Sequence, residues 1–305
     1  MRQHKHKESR MRKRNWKQYN KQLIQRGSLT FLIDPKLFKR QKTNKRIGRP
    51  QEFSRELIVM LMMVKIHYRC SYRFLEGFMK SIHSLSKQTS TMPTYSLICK
   101  RAAFIKDDLP KLNSSRSQVI ILDASGIKIE GEGEWKVKIH GKGRPRKWLK
   151  IHIAIDAKTQ EIVAETTTES TVVDSTMTRP LLNQIVGSIN TIIGDGAYDR
   201  SNAREAIRQR RSKALIPPPR NARYKGIKDD RDEALSIIEG FGGDEQARSL
   251  WGKLTGYSYR ALVETAFSRM KRLFGDRLFS KIPEKQAVEN RLRCVILNKM
   301  RSATA

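Results

Sequence analysis

The sequence predicts an α/β protein in which a mixed sheet of five strands is flanked by helices and preceded by a helical region. Apolar residues recur at helical spacing in the first third of the chain, and after Pro110 they alternate as in strands. Beyond the third strand, helices and strands follow one another. These three observations favour one layered sheet covered by helices.

The net charge predicts a polyanionic partner. The chain has 62 Lys and Arg against 30 Asp and Glu, a formal net charge of +32. A surplus of this size resists compaction unless a polyanion offsets it, and nucleic acid is the commonest such partner. Charge alone leaves DNA, RNA and a merely basic enzyme as alternatives.

Hydropathy and cysteine content exclude other classes. No run of 18 apolar residues and no secretory signal occurs, so we expect no membrane segment. The three cysteines, Cys70, Cys99 and Cys294, give neither a disulfide framework nor a CxxC zinc pair. We therefore expect a soluble protein of the reducing cytoplasm.

The first 50 residues hold 17 Lys and Arg but only two acids, Glu8 and Asp34. We predict a disordered basic arm over residues 1–15. Helical spacing then begins at Trp16. We predict a helical DNA-binding region over residues 16–112.

Two helices are predicted inside this region. Ser54 is a suitable N-cap for a helix that is apolar all round, and such a helix belongs at the centre of a bundle. Ser71 is a suitable N-cap for a second helix. The pair is typical of a helix-turn-helix, with Arg69 and Arg73 reaching phosphates, but equally of an ordinary helical hairpin.

Five strands are predicted within a catalytic domain over residues 113–305. They are 117–123, 148–156, 161–168, 190–195 and a strand beginning at 213. In the second strand, Ile151, Ile153 and Ile155 share one face. Residues 217–256 fit no strand, and we expect a short, mainly helical connection there.

Two of these strands end in an acid, Asp123 and Asp195. In an open α/β sheet the strand ends border the ligand crevice, so a carboxylate there faces a site rather than a core. The alternative is that each is a turn-forming residue at a strand exit.

A helix from about Tyr257 carries a stripe of four functional side chains. Tyr257, Arg260, Glu264 and Lys271 fall within an arc of roughly 60° at about 100° per residue. The alternative is a solvated face with an (i, i+4) ion pair. A separate apolar arc anchors the helix on the sheet. It consists of Leu262, Val263, Ala266, Phe267, Met270 and Leu273.

Three acids suffice for phosphodiester chemistry. Two divalent cations about 3.5–4 Å apart stabilise both the attacking and the leaving oxygen of an in-line displacement. Mg²⁺ prefers oxygen ligands and keeps several waters, so a few carboxylates hold it without His or Cys.

With these residues in place, the chain resembles the DDE transposases of bacterial insertion sequences, specifically the insertion-sequence-five group. Residues 122–156 look like the first-aspartate region of that family, and IIGDGAYD (192–199) is similar to its second-aspartate motif. The spacing Tyr-x2-Arg-x3-Glu-x6-Lys matches its glutamate motif. Further similar segments are YNKQLIQRGSLTFLID (19–34), GRPQEFS (48–54) and SYRFLEGF (71–78).

The resemblance implies a ribonuclease-H-like core in which Asp123, Asp195 and Glu264 are the catalytic triad. They would hold two Mg²⁺ ions, with Mn²⁺ as a substitute. Tyr257 and the other two members of its motif, Arg260 and Lys271, would position DNA. The implied reaction is cleavage at the ends of the element, followed by attack of the freed 3′-hydroxyl on target DNA, with a homodimer on double-stranded DNA.

A loop after Asp123 is rich in cations, and we interpret it as a ribbon that grips phosphates. The alternative is a flexible, solvated hairpin. The residues are Lys136, Lys138, Lys142, Arg144, Arg146, Lys147 and Lys150.

Five other residues are predicted to be structural or left open. His152 lies among isoleucines and is expected to be a hydrogen-bonded core histidine. Asp156 and Asp199 are interpreted as turn or capping residues. Trp148 is expected in the core, whereas Trp251 fits core packing and base stacking equally well.

Two readings compete with an enzyme. One is a non-catalytic DNA-binding protein derived from a transposase, and the other is an RNA-associated protein. Neither explains carboxylates placed beside a polyanion, whereas strand cleavage does.

Overall fold

The computed structural model describes residues 15–38, 52–86, 91–112, 118–129, 148–226 and 229–302. Helices lie before, between and after the strands, and short 3₁₀ turns join several of them. The helices are α1 (Trp16–Gln25), α2 (Arg55–His67), α3 (Tyr72–Leu85), α4 (Tyr95–Arg101), α5 (Thr178–Leu182), α6 (Ser201–Gln209), α7 (Asp230–Gly240), α8 (Glu245–Thr255), α9 (Ala261–Phe274) and α10 (Pro283–Ser302). No helix of the described residues is long and apolar enough to cross a bilayer.

One mixed sheet forms the centre of the molecule. Its strands are β1 (Val119–Ile129), β2 (Trp148–Asp156), β3 (Ile162–Glu169), β4 (Thr191–Ile193), β5 (Lys213–Leu215) and β6 (Arg277–Leu278). The order is β3-β2-β1-β4-β5, and β6 pairs with the far end of β1. β1, β2 and β3 are antiparallel neighbours, whereas β4, β5 and β6 join in parallel. The predicted mixed sheet flanked by helices is confirmed.

Two details of the sheet correct the sequence prediction. The first strand was expected to end at Asp123, but β1 continues to Ile129 because β2 pairs along its whole second half. The sheet has six strands rather than five. The sixth has two residues, too few for any alternation to appear in the sequence.

Each face of the sheet has its own core. Ile151, Ile153 and Ile155 point to the same face, as predicted, and pack with α2, α9 and α10. On the opposite face, Ile120 and Leu122 of β1 pack with α5 and α6. The cores stabilise the sheet from both sides, as burial of apolar surface does in any layered domain.

The N-terminal helices form as their caps predict. The side chains of Ser54 and Ser71 accept hydrogen bonds from Leu57 N and Phe74 N, at 3.0 and 3.1 Å. α2 is buried on all sides over Leu57 to Ile66, so it is the central helix. It shares a core with α10 and the sheet. The domain limits 1–15, 16–112 and 113–305 stay predictions.

Arg69 and Arg73, predicted to reach phosphates, each lie beside an aromatic ring. The Arg69 guanidinium is 5.8 Å from the ring centre of Phe279, and that of Arg73 is 4.8 Å from Tyr95. DNA contact by either residue stays a prediction.

The connection between β5 and α9 is short and mainly helical, as predicted. α7, α8 and the 3₁₀ turn over Tyr257–Arg260 together occupy more than half of it. In α9 the buried stripe contains Val263, Ala266, Phe267 and Met270. Leu273 was predicted to belong to this stripe but is 36% exposed, and Phe274 is buried instead.

Candidate active site

Asp123 and Asp195 lie at the same level of neighbouring parallel strands. Ile121 of β1 pairs with Ile193 of β4, and each acid follows two residues after its isoleucine. Adjacent strands are about 4.8 Å apart, so the two backbones bring the carboxylates together. Asp195 also caps a 3₁₀ turn, because its side chain accepts a hydrogen bond from Ala197 N at 2.9 Å.

Glu264 is brought to the same place by α9. The buried stripe of α9 packs against the face of the sheet to which Asp123 points, together with Ile121. Arg260 connects the two acids: Nη2 donates to Glu264 Oε1, and Nη1 lies 3.6 Å from Asp123 Oδ2. The (i, i+4) pair considered as an alternative is therefore present, and its arginine also reaches the first acid.

The charges in this cleft act on one another. The pKa of Asp123 is raised to about 6, mainly by burial, and the negative charges of Asp195 and Glu264 contribute to this rise. The hydrogen bond from Ala124 N, at 2.8 Å, and the charge of Arg260 oppose the rise. Asp195 and Glu264 are therefore close enough to Asp123 to destabilise its charged form.

The phenol of Tyr257 borders the same cleft. Burial raises its pKa, and the three acids add to that rise whereas Arg260 opposes it. Its ring lies 5.4 Å from that of Trp251, which is only 3% exposed. Trp251 is thus a core residue that supports Tyr257.

Lys271 reaches β1 from about two turns further along α9. Its Nζ donates to Ser125 Oγ at 2.8 Å. Ser125 lies two residues after Asp123 and therefore points to the same face. Sequence reasoning missed Ser125, although its spacing from Asp123 was a usable signal.

The donor set suits a divalent cation. The carboxylates of Asp195 and Glu264 raise the pKa of Asp123, so a cation bound between the three acids would reduce their repulsion. Hard Mg²⁺ and Mn²⁺ ions prefer such oxygen ligands. Within the described residues, no group of three acidic, His or Cys side chains already has the arrangement of a metal site. Arg260 provides the positive charge between Asp123 and Glu264.

A family model described as a transposase DDE domain matches residues 114–299, which is more than half of the chain. A second model of the same description matches residues 24–132. The chain belongs to the DDE transposase family.

Several solved transposase structures resemble this one weakly. A piggyBac transposase synaptic complex with hairpin DNA is 11% identical, with a TM-score of 0.42, over 93% of this chain and 75% of that one. A Drosophila P element transposase strand transfer complex is 10% identical, with a TM-score of 0.32, over 57% and 43%. The Mos1 mariner paired end complex with Mn is 10% identical, with a TM-score of 0.22, over 86% and 88%. Family membership rests on the sequence match and not on these likenesses.

The second-aspartate loop of this transposase contains an anchor that sequence reasoning missed. Asp199 ends the 3₁₀ turn, as predicted, but its carboxylate accepts from Arg204 Nε at 2.6 Å and from Arg231 Nε at 3.1 Å. Its side chain is only 4% exposed. No local pattern predicts the second partner, which lies 32 residues away.

Tyr198 fixes the same loop from inside. It is 1% exposed, and a Cβ on Gly194 would lie 3.1 Å from its ring atoms. The transposase loop therefore needs glycine where the ring packs on the backbone between β4 and Asp195.

The remaining structural predictions are tested by hydrogen bonds. His152 is fully buried, and its Nε2 lies 2.8 Å from Thr168 Oγ1, which confirms a structural histidine. Asp156 accepts from Thr159 N at 2.6 Å, which confirms a turn residue. Trp148 is half-buried, with Lys128 Nζ 5.4 Å from its ring centre.

Most of the basic loop lies outside the described residues, and so do residues 1–14. The six affected site residues are Lys136, Lys138, Lys142, Arg144, Arg146 and Lys147. Lys150 is described: its Nζ forms an ion pair with Asp174 at 3.0 Å.

Proposed function

We propose that this protein is the transposase of a bacterial insertion sequence of the insertion-sequence-five group, which cleaves the ends of its element and joins them to target DNA. One observation carries the proposal: acids from β1, from the β4 loop and from α9 approach closely enough that two of them raise the pKa of Asp123. A protein that only binds a polyanion gains nothing from such a cluster.

Asp123, Asp195 and Glu264 are the residues that hold the metal in this proposal, with two Mg²⁺ ions that Mn²⁺ can replace. Bound there, the ions supply Lewis acidity to the attacking and leaving oxygens of a phosphodiester. Above pH about 6, Asp123 is ionised and can serve as a ligand. Burial of its carboxylate keeps bulk water from screening it.

The neighbouring cations and phenol hold the DNA strand. Arg260 lies beside two of the acids, and Lys271 is held over β1 by Ser125. Their charges offset those of the phosphates that must approach a negative cleft. Tyr257 supplies a hydroxyl at the same edge.

The proposed partner is double-stranded DNA, both the terminal inverted repeats and the target. Joining two ends in one reaction favours a homodimer on DNA. The net charge of +32 supports steering to DNA, and the proposed location is the bacterial cytoplasm at the nucleoid. The basic loop over residues 136–147 is assigned to phosphate contacts.

A nicking assay on supercoiled plasmid carrying the ends of the element tests this function. Wild-type protein should nick the plasmid with Mg²⁺ or Mn²⁺ and stop in EDTA. Asp123→Asn, which keeps shape but removes charge, should bind the plasmid without nicking it. Asp107→Asn removes an equivalent charge at an exposed position and should nick like wild type.

Two outcomes contradict the proposal. If Asp123→Asn nicks the plasmid at the wild-type rate, Asp123, Asp195 and Glu264 are not the catalytic triad. Retardation of the plasmid by wild-type protein, without strand breaks in either metal, identifies a non-catalytic DNA-binding protein instead.

A further inference from the structure

A cavity of about 620 Å³ opens on the far side of α9 from the acids. It lies between α1, α9, α10 and the turn that joins β2 to β3. Four arginines line it, and no Asp or Glu is among its described lining residues. They are Arg26, Arg269, Arg272 and Arg301.

The geometry of α9 connects this arginine groove to the catalytic edge. At about 100° per residue, Arg272 and Arg269 are displaced by roughly 80° and 140° from Glu264, on the side away from the buried stripe. The solvent-exposed face of α9 therefore runs from Glu264, past Arg272, to Arg269 and the arginine groove. The distance from Glu264 to Arg272 along the axis is about 12 Å at ~1.5 Å per residue.

The cations of the groove are held together against their mutual repulsion. Arg301 Nη1 donates to Gln160 Oε1 at 3.0 Å, and its Nε donates to the Thr159 carbonyl. The pKa of Arg301 is lowered by burial and by the charge of Arg269, with Glu161 opposing. Like charges placed this close gain from an anion that binds between them.

The two arginines of α9 differ from those exposed arginines that have an acidic partner. Arg220 pairs with Glu245 at 2.7 Å, and Arg208 pairs with Glu205. No such pair involves Arg269 or Arg272 among the described residues. Their guanidinium groups are exposed on one helix and suited to phosphate oxygens.

The sequence that directly precedes the groove residue Asn15 is also basic. Asn15 lines the groove, and the 14 residues that precede it in the sequence contain seven Lys and Arg but one acid. Side-chain amides of Asn15 and Gln18 offer neutral donors beside the arginines. Charges and amides without carboxylates are typical of surfaces that contact the backbone of nucleic acid.

We propose that the arginine groove binds the phosphodiester backbone of duplex DNA outside the catalytic cleft. This inference rests on the proposed function, since it extends the path of the same DNA substrate along α9. The contacts are with phosphates, so the groove adds affinity without base preference.

The test is the affinity of the full chain for a labelled duplex of arbitrary sequence, measured at several salt concentrations. Arg269→Gln/Arg272→Gln should bind about 10-fold more weakly, with a salt slope shallower by about 2. Arg269→Lys/Arg272→Lys should restore most of the affinity, because point charges still attract phosphates. The matched control is Arg179→Gln/Arg211→Gln, which removes two exposed charges on the opposite side of the sheet.

The outcomes separate this inference from the proposed function. If the groove variant and the control variant bind the duplex equally well, the proposed DNA contact of the arginine groove is wrong, and the proposed transposase function is unaffected. Failure of wild-type protein to bind the duplex overturns both. At saturating protein the groove variant should still nick plasmid, unlike Asp123→Asn, and unchanged thermal unfolding shows that its fold is preserved.

Discussion

Two acids of one loop, only four residues apart, have opposite surroundings. Asp195 is half-buried in the acid cleft, where its side chain accepts a hydrogen bond from Ala197 N and lies next to other carboxylates. Asp199 is buried and holds two arginines. The Asp199 cluster has its charge compensated within the fold, whereas the acid cleft collects negative charge with one arginine against three acids.

This difference separates carboxylates that stabilise the fold from carboxylates that take part in the reaction. A compensated buried carboxylate stabilises the fold, and removal of one partner exposes the charge of the other. Clustered acids cost folding free energy that Arg260 offsets in part and that a bound cation would relieve further. Substitutions in the two regions should therefore have opposite effects on stability and activity.

The largest effect should come from Glu264→Gln. Loss of one of three ligands should reduce the nicking rate by about 10³-fold, equivalent to about 4 kcal/mol of transition-state stabilisation. Its side chain is 56% exposed, so the unfolding midpoint should change little. Initial nicking rates in Mg²⁺ measure the effect, with exposed Glu284→Gln as control. A wild-type rate for Glu264→Gln would remove this residue from the triad.

The next largest effect is a loss of stability, and it concerns Asp199 and its two arginines. Asp199→Asn should lower the free energy of unfolding by about 3 kcal/mol, because two largely buried arginines lose their counter-charge. Urea denaturation measures it. Asp276→Asn breaks an exposed pair with Lys128 and should cost about 1 kcal/mol or less. Equal midpoints for the two variants would show that the Asp199 cluster does not stabilise the loop.

Asp123→Asn should stabilise the protein while abolishing cleavage. The folded pKa of about 6 exceeds the ordinary value of 3.8, so the stability contribution of Asp123 is complete below pH 3.8 and is lost as pH rises through about 6. Without metal, the variant should gain about 2 kcal/mol above pH 6 and nothing below 3.8.

Urea denaturation in EDTA across this pH range measures that gain. Asp107→Asn, at an exposed position, should show no such pH dependence. A gain of the same size for Asp123→Asn at every pH would exclude titration of this carboxyl as its source.

The smallest effect concerns Gly194, which directly precedes Asp195. Gly194→Ala should destabilise the fold by about 1 kcal/mol, because its Cβ would press on the buried Tyr198 ring. Gly77→Ala, on an exposed turn of α3 with open space around its Cβ, should stabilise by about 0.5–1 kcal/mol. Thermal unfolding compares them. If Gly194→Ala raised the unfolding temperature as Gly77→Ala does, the Tyr198 ring would have moved to make room for the added methyl group.

Local signals were sufficient for most elements and for the identity of the acids. The caps Ser54 and Ser71 begin helices as expected, and the isoleucines of β2 share one buried face. The Tyr-Arg-Glu-Lys spacing was readable because helical periodicity is local, but the predicted helix from Tyr257 begins only at Ala261, after a 3₁₀ turn over Tyr257–Arg260. The two-residue β6 lacked any period, and β1 was extended by its pairing with β2.

The sequence by itself determined the fold class, the helix starts, the basic character and the residues that carry the DDE pattern. Only the tertiary structure decided that Arg260 joins Asp123 to Glu264, that Arg231 reaches Asp199, and that arginines from three helices line one groove. The physical reason is the sequence distance over which each kind of interaction acts. Backbone periodicity and capping act over a few residues, whereas ion pairs and shared cavities depend on how distant segments pack together.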